Sequence, residues 1–179
     1  FSNRIHPDFT DQDRMWCFEC GKLVLAGATG ESCSNCGGTY TTTYNNVTSV
    51  APVVRNPLYC LLDPHPRKPH MLLWVQITPN DDYEVLAEAL VEGGSEAVRE
   101  TVEGVERSLV HYTVSRMMDP NMGASPSGAT RELTWQMEFD NVGLHFDLAI
   151  DSDVGRARLN DIIKPDPRTM RSRLIVDPS

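Results

Sequence analysis

Four cysteines carry the most specific chemistry in this chain. Cys17-Phe-Glu-Cys20-Gly21 and Cys33-Ser-Asn-Cys36-Gly37 are two knuckles of the same form, separated by twelve residues. Cysteines with two residues between them bring two sulfurs to one side of an ion, and a second such pair completes a tetrahedron of thiolates. The glycine after each second cysteine relieves crowding where the backbone turns. The expected occupant is one structural zinc held by Cys17, Cys20, Cys33 and Cys36, ahead of iron in a rubredoxin-like site and of disulfides. Four thiolates leave no open coordination position, so the ion is expected to brace the fold and not to activate water.

Residues 16–44 resemble the zinc ribbon family on these paired CxxCG knuckles, with strand-like stretches at Lys22–Leu25 and Thr39–Tyr44 on the appropriate sides. The resemblance implies two hairpin turns clasping one zinc ion. Such an ion can supply about 10–16 kcal/mol to a module too small for its own core. It covers no other part of the chain. Zinc ribbons occur in ribosomal proteins, RNA polymerase subunits, transcription factors, a cytochrome oxidase subunit and some ubiquitin ligases, so the resemblance leaves the assembly open.

Other reactive side chains have plainer readings. Cys60, in the apolar run LYCLL, reads as a buried free thiol, because a reactive cysteine needs an electropositive and partly exposed setting. His65 and His70 bracket Arg67 and Lys68 in DPHPRKPH, where a solvated turn is preferred over a phosphate or carboxylate contact. His111 and His145 have no recognisable catalytic neighbour. Asp147, Asp151 and Asp153 lack the spacing of a calcium loop and read as a solvated strand end. Arg168, Arg171 and Arg173 form the main basic cluster, either an exposed tail or a peripheral RNA contact. With no GxxxxGK[ST], GxSxG or HExxH motif, no catalytic residue is assigned.

The elements that must position these groups follow from composition and periodicity. The 179 residues carry a formal net charge of −9 with 40% hydrophobic residues, which excludes wholesale disorder and argues against a freestanding nucleic-acid binder. No apolar stretch is long enough for a transmembrane helix. Residues 1–13 read as an irregular arm, 14–45 as the ribbon, 46–70 as a proline-rich connector, 71–151 as an α+β domain and 152–179 as a tail. The tail holds one short helix near 155–163.

Within the domain, the apolar run Met71–Thr78 predicts a strand covered on both faces. Asp81 and Glu84 resemble a capping box that opens a helix running to about Val91. Val98, Val102, Val105, Leu109 and Tyr112 form one stripe of a long helix over 95–118. Strict alternation in RELTWQMEF and VGLHFDLAI, joined by Asp140-Asn141, predicts a two-residue β-hairpin with Leu133, Trp135, Met137 and Phe139 on its buried face. The expected fold is therefore α+β, a zinc ribbon joined by the connector to helices packed on an antiparallel sheet.

The function these features suggest is a non-catalytic zinc-braced subunit of a large assembly, contacting other protein subunits. Proline-dense segments flanking small folded units suit docking onto partners. Among the assemblies that use such ribbons, a ribonucleoprotein such as an organellar ribosome is preferred, contacted mainly through protein because of the acidic charge. The alternatives are a transcription or RNA-processing factor using the ribbon for recognition through Arg14, Lys22 and the tail arginines, an enzyme with an unfamiliar site in the α+β domain, and a respiratory-complex accessory subunit. Four metal-bound cysteines suit a reducing intracellular compartment, cytoplasm or mitochondrion.

Overall fold

The computed structural model describes residues 14–17, 19–20, 23–25, 32–44, 46–127, 132–150, 152–164, 166 and 172–178. The expected N-terminal arm, Lys22, Asp151, Arg168 and Arg171 lie outside them. Strands β1 (Arg14–Cys17), β2 (Leu23–Leu25) and β3 (Tyr40–Tyr44) form an antiparallel sheet in the order β2-β1-β3. A second, six-stranded sheet has the order β8-β7-β4-β5-β6-β9. Its members are β4 (Leu58–Asp63), β5 (His70–Ile77), β6 (Tyr83–Val91), β7 (Val114–Met118), β8 (Asp147–Leu148) and β9 (Leu174–Val176). The helices are α1 (Ser95–Glu106), α2 (Pro120–Gly123), α3 (Trp135–Asn141) and α4 (Asp153–Ile163).

The domain is mixed α+β, and its sheet is not purely antiparallel as expected. β4, β5 and β6 form an antiparallel meander, whereas β7 lies parallel to β4, β8 parallel to β7, and β9 parallel to β6. The parallel β4–β7 pair arises because α1 carries the chain back across the sheet before β7, while α2 and α3 lie between β7 and β8 and α4 precedes β9.

β4 lies inside the proline-dense stretch read as connector. Pro57 precedes this strand and Pro64 follows it, so the prolines bracket the ladder and cost it no hydrogen bond. Leu58, Cys60 and Leu62 point into the core. The strand expected over 71–78 is present as β5.

Three expected elements change type. Residues 83–91 are a strand and not a helix, because eight residues of β5 pair with them and β9 pairs on their other edge. Asp81 caps no helix. It sits at φ 65° in the β5–β6 turn, held by the Arg158 guanidinium at 2.8 and 2.9 Å. The long helix over 95–118 ends at Glu106. A short 3₁₀ turn over Arg107–Leu109 keeps Leu109 on the buried stripe with Val98 and Val102, and the chain then extends into β7. Arg116 of β7 pairs with Glu106 at the helix end.

The predicted hairpin over 132–150 is the third correction. Residues 135–141 are helical, and Trp135 and Phe139, four apart, share the buried face while Met137 is 49% exposed. The side chain of Thr134 accepts a hydrogen bond from the Met137 amide, capping the helix start. At its end Gly143 adopts φ 78°, with Gly143 N–H donating to Asp140 O and Leu144 N–H to Phe139 O, which is a Schellman closure. Periods of two and of four both place residues 135 and 139 together, and the cap residues decide between them. Trp135 stacks on Phe139 with centroids 5.9 Å apart, and Phe139 meets Phe146 edge-on at 5.6 Å.

Exchanging Phe139 for alanine is expected to cost about 3–5 kcal/mol, while the same change at Met137 costs under about 1 kcal/mol. Urea unfolding of the two variants measures this. Equal losses would restore the hairpin register, in which both residues share one buried face.

Candidate functional site

The four cysteines form a compact cluster. All four sulfurs lie within 4.8 Å of one another, with Cys17 Sγ 3.5 Å from Cys36 Sγ and Cys20 Sγ 3.7 Å from Cys33 Sγ. A tetrahedral ion with metal–sulfur bonds near 2.3 Å separates its ligands by about 3.8 Å, so one ion fits among them. Each knuckle contributes one buried sulfur, Cys17 or Cys33, and one exposed, Cys20 or Cys36. All are free thiols.

The second knuckle is built by its backbone. Cys33 N–H donates to Gly38 O at 2.7 Å and Gly37 N–H to Cys33 O at 2.8 Å, closing a turn in which Gly37 takes φ 75°. That conformation strains residues bearing a Cβ, which is why glycine follows Cys36. The Asn35 amide donates to Cys33 Sγ at 3.4 Å. Burial works against the Cys33 thiolate, but the amides of Asn35 and Cys36 outweigh it and hold the group at about 6. Burial pushes Cys17 up to about 12. The arrangement is compatible with a zinc ribbon knuckle pair.

A different constellation, not singled out in the sequence, sits at the carboxyl ends of β4 and β7. Leu62 and Met118 are register partners in this parallel pair, and both point into the core. The next residue in each case is an aspartate, Asp63 closing β4 and Asp119 directly following β7, and the Asp119 amide donates to Leu62 O at 3.0 Å. Alternation along β4 turns the Asp63 carboxylate away from the core, while Asp119 caps the start of α2, and the two residues stand on neighbouring backbones about 4.8 Å apart. Asp63 is exposed and Asp119 half-buried, with Asp119 Oδ2 accepting from Met122 N–H at 2.7 Å. Each is followed by proline, which ends the ladder at that point. The readable signal was the repeated Asp-Pro after an apolar strand. Among the described residues, Asp63 and Asp119 belong to no group of three or more side chains gathered closely enough to hold a metal.

His70, at the start of β5, supports this edge from beneath. It is 1% exposed, its Nδ1 accepts from His65 N–H at 3.1 Å, and its Nε2 lies 3.1 Å from Gly93 O. Its ring meets Trp135 edge-on at 4.9 Å. Burial holds the imidazole below its ordinary 6.5, with the Gly93 carbonyl pulling the other way.

The remaining candidates are structural or occupied. Cys60 is buried in the core, and burial pushes its thiol to about 12. His145 stands exposed between Asp140, 2.8 Å from Nδ1, and Asp147, 3.5 Å from Nε2, and these carboxylates raise its pKa. His111 is exposed, and Asp153 opens α4. Arg173 is not free for RNA: its Nε and Nη2 donate to Asp81 O at 3.1 and 2.7 Å, and it pairs with the Asp81 carboxylate. Among the described residues, no helix is long and apolar enough to cross a membrane.

No protein family and no curated protein matches this chain. Among solved structures the chain is similar to the large terminase of a thermophilic bacteriophage. One crystal form superposes with a TM-score of 0.52 at 10% identity, covering 74% of this chain and 31% of that one. A second crystal form, covering 74% of this chain and 30% of that one, gives 0.49 at 10% identity. The complex with ADP, covering 74% and 31%, gives 0.49 at 8% identity. The likeness is one of fold, and this chain spans less than a third of the terminase.

Two outcomes test these sites. Replacing Cys33 with serine is expected to abolish stoichiometric metal, measured by elemental analysis, while the cooperative unfolding of the six-stranded domain persists. For His70, the unfolded chain takes up a proton below pH 6.5 that the native chain refuses. This group's contribution is therefore full above that value and lost as pH falls towards the lower native pKa. Unfolding free energies of the wild type are expected to fall more steeply on mild acidification than those of His70→Gln.

Proposed function

We propose that this chain is part of a large-terminase-like enzyme and that its six-stranded domain cleaves phosphodiesters with divalent metal ions held by Asp63 and Asp119. The observation that carries this reading is the pair of aspartates at the carboxyl ends of two neighbouring parallel strands, Asp63 closing β4 and Asp119 directly following β7. The terminase-like fold supports it. Open sheets with parallel strands place their ligands beyond the strands' carboxyl ends. Hard carboxylate oxygens suit Mg²⁺ or Mn²⁺, which keep several waters and bind through one or two carboxylates together with substrate phosphates. Such an ion supplies a nucleophilic water and charge neutralisation at phosphorus. Asp63 and Asp119 hold it at a fixed edge, and the Met122 amide fixes the Asp119 carboxylate.

The thiolate cluster has a separate role in this proposal, as a closed four-sulfur zinc site that folds its own module. Zinc is favoured over iron by the attachment of the cluster to a larger domain. Val47 bridges Val176, and β9 pairs with the start of β6, whereas the far end of β6 reaches His70. About six residues of strand, some 20 Å, separate that attachment from the aspartate edge.

A second reading, a non-catalytic zinc-braced subunit of a larger assembly such as a ribonucleoprotein, is favoured by the closed coordination of the four-cysteine ion. Nicking of supercoiled plasmid by the full chain separates the two. Cleavage is expected in Mg²⁺ or Mn²⁺ and is lost in Asp63→Asn and in Asp119→Asn, with metal bound at the cysteines unchanged. A wild-type chain that cleaves nothing in either ion overturns the enzymatic reading.

A further inference from the structure

We propose that the turn between β4 and β5 is a phosphate clamp, in which Arg67 and Lys68 grip the nucleic-acid backbone beside Asp63. This deepens the phosphodiesterase reading and rests on it for the identity of the ligand. The turn is built around two imidazoles. His65 Nδ1 accepts both the Arg67 and the Lys68 amide, at 3.1 and 3.0 Å. The amide of His65 itself is anchored on His70 Nδ1, and His70 reaches Gly93 O. Backbone donors are thus turned inward, and proline at positions 64, 66 and 69 removes further freedom.

The consequence is a rigid turn with two exposed cationic side chains at its tip. Among the described residues, neither side chain has an acidic partner or other hydrogen bond. On a chain of net charge −9, two unpaired cations fixed in a short rigid turn call for an anion. Arg67 is four residues from Asp63, at most about 14 Å of chain. A strand of nucleic acid carries one phosphate per roughly 3.4 Å of helix axis, so the clamp reaches phosphates within about four nucleotides of the one at Asp63. Arginine supplies a bidentate fork and lysine a point charge, and both suit a phosphate diester.

The test uses the full chain in Ca²⁺ and follows the anisotropy of a fluorescent duplex DNA as salt is varied. Arg67→Gln/Lys68→Gln is expected to weaken binding about tenfold or more and to reduce the salt slope by about 2. Arg67→Lys/Lys68→Arg retains both the affinity and the slope. His65→Ala keeps both charges yet also weakens binding, because the turn that aims them loosens. Competition by an RNA duplex and by inorganic phosphate identifies the backbone read, and displacement by phosphate alone at low concentration would replace a polymer clamp with a free-anion site. Unchanged binding in the double glutamine variant overturns the proposal, as does a wild type that binds no duplex. Clamp-dependent binding without plasmid cleavage would uphold this inference and reject the enzymatic reading. Aspartate-dependent cleavage with clamp-independent binding would do the reverse.

Discussion

The double pairing of β4 is the constraint on which the domain depends. This strand is hydrogen-bonded to β5 on one side along six register pairs and to β7 on the other along five. Its inward residues, Leu58, Cys60 and Leu62, sit at the centre of the core beneath α1 and α3. Because β7 must run parallel to β4, a helix has to intervene, and α1 supplies both the crossover and the apolar lid of Val98 and Val102. The same parallel pairing brings Asp63 and Asp119 to one edge, so the packing solution and the candidate chemistry share a cause.

The edges of the domain are fastened by buried polar groups. Asn46, fully buried, donates from Nδ2 to Ser172 Oγ at 2.7 Å and to Leu174 O at 2.9 Å, tying the residue just beyond the cysteine module to the last strand. Gln76, 1% exposed, accepts from Val53 N–H and donates to Ala51 O, both at 2.9 Å, pinning the following stretch against β5. Unpaired, such groups would be costly in a low-dielectric interior. Paired, they fix one arrangement of chain segments distant in sequence. Arg158 and Arg173 do the same on the surface by converging on Asp81.

The two candidate sites use their ligands in opposite ways. In the proposed reading, four soft thiolates would close completely around an ion, which suits stability. Two hard carboxylates at a sheet edge, as proposed for Asp63 and Asp119, would leave room for water and phosphate, which suits turnover. The histidine-built turn beside Asp63 adds fixed positive charge where the rest of the chain is acidic.

The clustering of the cysteine quartet was legible because knuckle geometry acts over a few residues: two CxxCG motifs bring the sulfurs together, and Gly37 states the turn. The strand at Met71–Thr78, the helix near 155–163 and the apolar stripe of α1 were legible for the same local reason. What sequence could not settle were segments satisfying two periods at once. Trp135 and Phe139 fit a strand and a helix equally, and Thr134 and Gly143 carry the deciding cap information in single residues. Residues 83–91 bear a helical capping pattern, yet partners on both edges, β5 and β9, make them a strand. Most of all, Asp63 and Asp119 are 56 positions apart and unremarkable singly. Only the long-range register of β4 against β7 places them side by side, and register is a property of paired backbones that no single stretch of sequence contains.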